Sequence, residues 1–225
     1  MTEEEQLKKC KIFKELDFSD IQKVLKCASA REQSYPKGAF ILREGNKAGS
    51  VGLLVQGEVS IIFEDFWGNR ALVAKMYPGE IFGDAYVYSS DRTVRINVLA
   101  TADCEAVMLD YERLIAPCDC ICSAHRQILK NMLQIFSDKL RAMMRKMTFV
   151  SKRTLREKIM AYLSAAAETS RGDTVTITLS RQELADYLYV DRSALSRELS
   201  NMKREGLIDF SANRFRLISA GRYKD

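Results

Sequence analysis

The sequence predicts an α+β chain: a helical N-terminus, an antiparallel β-roll or sandwich, one long helix, and a small C-terminal domain built around a helix-turn-helix. Three features carry this. Between Tyr35 and Asp110, short apolar runs of strand length alternate with glycine and asparagine turns. From Ser123 to Met147 there is neither Gly nor Pro, and the apolar period becomes helical. After that, two short capped helices are joined by three residues.

The 225 residues suffice for two modest domains with real cores, and 47% hydrophobic with 29% charged residues is ordinary globular composition. No apolar run reaches membrane-spanning length. The opening "MTEEEQLKKCKIF" lacks the apolar centre of a signal peptide, so a cytoplasmic chain is expected, with no membrane partner. Six cysteines in such a compartment argue against structural disulfides. Charge is uneven. Residues 1–138 hold 17 Lys and Arg against 20 Asp and Glu, net −3, whereas residues 139–225 hold 18 against 10, net +8. Clustered positive charge points to a polyanion, nucleic acid above all.

Within residues 1–30, Leu7, Ile12, Phe13, Leu16, Ile21, Val24 and Leu25 recur at helical spacing, with Ser19 as a candidate N-cap. In the β region, "FWGNR" reads as a hairpin turn in which Gly68 and Asn69 supply positive φ. In the long helix, Leu129, Leu133, Phe136, Leu140, Met143 and Met147 are spaced 4, 3, 4, 3, 4, a heptad seam suited to a second copy. A second stripe, Ile128, Met132 and Ile135, suits packing on the chain's own domain. The expected organisation is a sensor domain over 1–122, a dimerisation helix over 123–148 and a DNA-binding domain over 149–225.

In the last segment, Thr154 and Glu157 have capping-box spacing, and "TVTITL" alternates as a strand. The paired helices are expected at Ser180–Leu188 and Arg192–Arg204, with Ser180 and Asp191 as N-caps. Leu184, Leu188, Val190, Leu195, Leu199 and Met202 would form their shared core, Ala185 allows a close crossing, and Tyr189 stands where a turn glycine is usual. The second helix then presents Arg192, Ser193, Ser196 and Arg197 near its N-terminus, the end that enters a major groove. Arginine forks onto guanine N7 and O6, and serine bonds phosphates or bases. Arg181 and Gln182 are placed for flanking phosphates. The hairpin "LIDFSANRFRLI", turning near Ser211 to Arg214, would be a wing carrying Arg214 and Arg216. Double-stranded DNA is the expected partner.

These motifs together resemble the cyclic-AMP receptor protein and its relatives, the Crp/Fnr family of bacterial transcription regulators. The resemblance runs through Gly45, Gly57, Gly68, Gly79 and Gly83, "YPKGAFILREGNKAG", "PGEIFGD", "TADCEAVML" and "LSRQELADYLYVDRSALSREL". It implies a cyclic-nucleotide-binding-like β-roll (a double-stranded β-helix or jelly roll), a dimerisation helix and a winged helix-turn-helix. The implied mechanism is allosteric, a small-molecule effector in the roll re-aiming two recognition helices at the half-sites of a palindromic operator, with RNA polymerase a further implied partner. Arg192 and Arg197 fall on the family's two recognition arginines, while Ser193 stands where a glutamate is common.

The family's nucleotide cassette supplies Gly-Glu and then an Arg followed by Ser or Thr. Here Gly83 and Asp84 fall on the first pair, with Ala85 beside them, and Val94 and Arg95 on the second. A cyclic phosphate without its arginine loses a charge-assisted pair, on the order of 2–5 kcal/mol. That argues against a cyclic nucleotide and leaves the cofactor unknown. Arg92, two residues before Val94, is on the same side of an extended chain and is the candidate to reach inward instead; Arg95 should point away.

"PCDCICSAH" places Cys118, Cys120, Cys122 and His125 together, candidate ligands for a metal or iron–sulfur cluster, though C-x-C-x-C is a weak signature. A redox- or metal-sensing regulator is therefore the alternative within the class. A cytoplasmic ligand-binding or scaffold protein is the alternative outside it. An enzyme is not expected: with a single histidine and no Ser/His/Asp set or paired acids, the means for acid–base chemistry are missing.

Overall fold

The structure is a computed structural model that describes residues 3–68, 70–115, 123–170 and 172–218. It divides into two compact units, residues 1–139 and 140–225, and the long helix contributes to both.

The first unit opens with helices α1 (Glu3–Lys8) and α2 (Phe18–Cys27), separated by a 3₁₀ turn at Lys11–Phe13. The cap of α2 is Asp17, not Ser19: its carboxylate accepts from the Asp20 amide at 2.8 Å, and the helix starts two residues earlier than the Ser19 reading requires. Two antiparallel sheets follow. One has the order β1 (Arg31–Tyr35), β8 (Cys104–Asp110), β3 (Ser50–Gln56), β6 (Ile81–Phe82). The other runs β2 (Phe40–Leu42), β7 (Asn97–Ala100), β4 (Val59–Glu64), β5 (Arg70–Met76). This is the expected roll.

Its interior holds Leu54, Val59, Met76, Phe82, Val98, Ala106 and Met108. The outer face of the first sheet, with Val51, Leu53, Val107 and Leu109, forms a second core with α2, α4 (Tyr111–Ile115) and the start of α5 (Ser123–Val150). β3 is buried on both faces because it serves both cores. Gly57 is required by space as well as by its φ of 90°, since a Cβ there would lie 2.3 Å from the Asp103 carbonyl oxygen. Gly68 has the positive φ expected of the hairpin; Asn69 lies outside the described residues.

At 1.5 Å per residue, the 28 residues of α5 extend about 42 Å. Its two stripes behave differently. Ile128, Met132 and Ile135 are buried against the roll unit. Leu133, Leu140, Met143 and Met147 are 60–67% exposed and Leu129 40%, while Phe136 turns partly into the core. Five large apolar residues in register along one helix face are thus left in water.

The second unit contains the end of α5, then α6 (Leu155–Ser170), β9 (Thr174–Thr176), α7 (Arg181–Leu188), α8 (Arg192–Arg204), β10 (Ile208–Ser211) and β11 (Arg214–Leu217). The strands form one sheet in the order β10-β11-β9. Leu184, Ala185, Leu188, Leu195, Leu199 and Met202 are buried as the helix-turn-helix reading requires, with Val190 half-buried.

Candidate nucleic-acid interface and effector site

α7 and α8 are fixed at their starts. Ser180 and Glu183 form a reciprocal capping box, and Asp191 accepts from the Ala194 amide at 2.9 Å. The Asp191 carboxyl is held below the usual range by bonds from the Ser193 hydroxyl and from that amide. Between the helices Tyr189 adopts a left-handed conformation, φ 55°, the work normally given to glycine. Its ring and that of Tyr187 lie 4.9 and 4.2 Å from the Lys146 ammonium at the end of α5, so the tight turn is packed from behind. Burial lowers the Lys146 pKa to about 8.

Arg192, Ser193, Ser196 and Arg197 are all exposed on one side of α8, spanning about 140° of its circumference at 3.6 residues per turn. The Ser193 hydroxyl is turned back to donate to Asp191 at 2.5 Å, which leaves Arg192, Ser196 and Arg197 as the outward groups. The core residues Leu195, Leu199 and Met202 occupy the neighbouring stripe. Gln182 is exposed at the start of α7 and donates to Asp186.

Arg181 differs from its expected place on a flanking phosphate. Its guanidinium donates to the Ala212 carbonyl at 2.7 Å and lies over the Phe210 and Phe215 rings at 5.2 and 4.7 Å. Desolvation there lowers its pKa. Two aromatic faces and a turn carbonyl outcompete solvent, so Arg181 braces the hairpin. On that hairpin Arg214 and Arg216 point outward, alternating with buried Phe215 and Leu217.

One constellation was not foreseen. Arg156, in the first turn of α6, binds two carboxylates of the α8 segment, Glu198 and Glu205, at 2.6 to 2.9 Å. The only sequence signal was the seven-residue spacing of the two acids, which puts them on one helix face.

In the roll, Gly83 (φ 79°) starts the short helix α3 (Asp84–Val87), and Ala85 is exposed beside it. Asp84 is buried, and both its oxygens accept from the Lys139 ammonium of α5, at 2.7 and 2.8 Å. The third Lys139 donor goes to the Ile81 carbonyl at 2.8 Å. Tyr88 packs edge-on against Tyr111 and Phe136, and burial, with the nearby Asp84 charge, pushes its phenol up to about 12.

Val94 is fully buried in the core. Arg95 faces outward and pairs with Asp91 at 2.8 Å. Arg92 does not reach inward: at φ 49° its side chain turns to α4, pairing with Glu112 at 3.1 Å over the Tyr111 ring. The groups present do not fit a cyclic nucleotide. The phosphate-binding position is an apolar core residue, and the acid that would take a ribose hydroxyl is already paired through both oxygens with an internal cation.

Cys118, Cys120 and Cys122 lie outside the described residues; His125 is buried in the first turn of α5. Among the others, burial pushes the Cys10 thiol up to about 11, which suppresses its thiolate. Among the described residues no helix is long and apolar enough to cross a membrane.

Residues 32–119 match the cyclic nucleotide-binding domain family and residues 157–221 the Crp-like helix-turn-helix domain family. The chain is 26% identical over 196 residues to the transcriptional activator protein FnrL of Cereibacter sphaeroides, covering 83% of this chain and 76% of FnrL. To the CRP-like protein Clp of Xanthomonas euvesicatoria pv. vesicatoria it is 25% identical over 198 residues, 86% of this chain and 85% of Clp. In fold it is similar to the c-di-GMP responsive global regulator CLP of Xanthomonas campestris, with a TM-score of 0.71 at 22% identity over 91% of this chain and 100% of that one. It is similar also to OCPA-complexed CprK, with a TM-score of 0.72 at 16% identity over 89% and 90%.

Proposed function

The chain belongs to the Crp/Fnr family of transcription regulators, and on that premise we propose that it is a homodimeric, sequence-specific DNA-binding regulator of the bacterial cytoplasm, not an enzyme, controlled by an effector other than a cyclic nucleotide. The observation that carries the reading is the outer face of α8, where Arg192, Ser196 and Arg197 stand exposed beside a capped helix start. The two arginines fork onto guanines in the major groove, and Ser196, Gln182, Arg214 and Arg216 take backbone or flanking contacts.

The exposed α5 seam supports the dimer. Packing it against a second copy removes Leu133, Leu140, Met143 and Met147 from water and supplies the two-fold symmetry of a palindrome, with half-sites about 34 Å apart. RNA polymerase is the downstream partner this reading implies.

The test is selection from a randomised duplex library, followed by Arg197→Ala. Each bidentate arginine is worth about 1–3 kcal/mol, and a dimer has two, so specific affinity should fall by about 30-fold or more. Sedimentation should still give a dimer. Unchanged affinity for the selected duplex overturns the reading.

A further inference from the structure

α8 can read bases only if its rotation about its own axis is fixed. Its apolar stripe, Leu195, Leu199 and Met202, anchors one side, but apolar packing is non-directional and holds separation better than rotation. Directional restraint comes from α6. Arg156 Nε donates to Glu198 Oε1 at 2.6 Å, while Nη1 and Nη2 donate to Glu205 Oε2 and Oε1 at 2.7 and 2.9 Å.

Glu198 of α8 and Glu205, the residue that caps its C-terminus, lie two turns apart, about 160° around the axis from the middle of the exposed Arg192–Arg197 face. The anchor is itself held. Thr154 and Glu157, flanking Arg156, bond reciprocally at the start of α6, at 3.1 and 3.2 Å. Hydrogen bonds from Arg156 also hold the Glu205 carboxyl below its usual range. A planar fork engaged on two carboxylates is the stiffest strut a single side chain can supply.

We propose that Arg156 is a positioning residue for DNA recognition, setting the rotation of α8 and thereby the aim of Arg192 and Arg197. The proposal rests on the DNA-binding reading above. Its lever arm is short but sufficient. An arginine head lies about 6 Å or more from the helix axis, so a 20° rotation moves it about 2 Å, beyond what a base-edge hydrogen bond tolerates. Phosphate attraction falls off slowly with distance and survives such a shift. Arg156 should therefore govern discrimination between sequences more than attraction to DNA.

The experiment uses the full-length dimer and the duplex enriched by the wild type from a random library, with a scrambled duplex as competitor. Arg156→Ala should lower affinity for the enriched duplex at least tenfold and change that for the scrambled duplex less than threefold. Arg156→Lys, which keeps the charge but not the fork, should show an intermediate loss of discrimination and serves if the alanine variant does not fold.

The triple variant Arg156→Ala, Glu198→Gln, Glu205→Gln removes the stranded carboxylates. Discrimination should stay low in it. Recovery there would mean that Arg156 acts only by neutralising charge, and full discrimination in Arg156→Ala or Arg156→Lys would mean that it does not aim the helix; either overturns the proposal. A wild-type protein that enriches no sequence instead overturns the DNA-binding reading itself.

Discussion

Replacing Lys139 with Met keeps the length of the side chain and removes its charge, which strands Asp84. The carboxylate side chain is 4% exposed and the lysine 37%. Removing one partner of a fully buried pair costs about 3–5 kcal/mol, because the other charge loses its compensation. Partial solvent access at the lysine end screens the interaction, so about 2 kcal/mol is the appropriate scale. For a chain of this length that is about 4–8 °C in melting temperature.

The assay is a double-mutant cycle by scanning calorimetry, with hydrogen exchange across α3 and the first half of α5 to place the change. Lys139→Met should be the least stable member. Adding Asp84→Asn to it should recover part of the loss, giving a coupling of about 2 kcal/mol. If the two changes add, or if Lys139→Met costs under 0.5 kcal/mol, the pair is an ordinary surface contact and the case for an internally neutralised site fails.

Two further outcomes follow from the same structure. Leu140→Asp should convert the proposed dimer to a folded monomer: burying a leucine contributes about 1.5–3 kcal/mol, counted twice by symmetry, so the dissociation constant should rise about 100-fold or more by analytical ultracentrifugation. Millimolar cyclic AMP or cyclic GMP should leave the melting temperature of the roll unchanged, whereas a ligand with even 10 μM affinity would raise its stability by about 2.7 kcal/mol at 1 mM.

What was legible in the sequence is what local chemistry decides. Glycine turns and strand-length apolar runs gave the roll, and the two stripes on residues 123–147 gave a helix with one buried and one open face. Ser180, Asp191 and the Thr154–Glu157 pair were readable as caps because capping is satisfied within three residues. The misplaced cap at Ser19 is an error of the same short range: Asp17 is as good an acceptor and lies two residues earlier.

What could not be read depends on partners far along the chain. Arg181 is claimed by a turn and two rings about 30 residues later, and Arg92 by Glu112 on the next helix. Lys139 finds Asp84 across 55 residues, and Arg156 finds Glu198 across 42. Sequence position gives a charged head group's type but not its direction, since a long flexible stem lets the tertiary environment choose.

The Asp84–Lys139 pair bears directly on which effectors the roll can accept. An anion entering beside α3 needs a cation, and the one at hand already donates to both Asp84 oxygens and to a carbonyl. Sharing it would leave two negative charges on one ammonium, and the displaced Asp84 would remain buried. The neighbouring arginines offer no relief, because Arg92 and Arg95 are paired with Glu112 and Asp91 on the surface. Restoring the arginine at position 94 would not repair the site either, since Val94 is part of the core and a guanidinium there has no water and no partner. The obstacle to a cyclic phosphate is therefore double, a missing clamp and an occupied acid. For the regulator proposed above, it favours an effector that is neutral, or cationic and able to replace the lysine at Asp84.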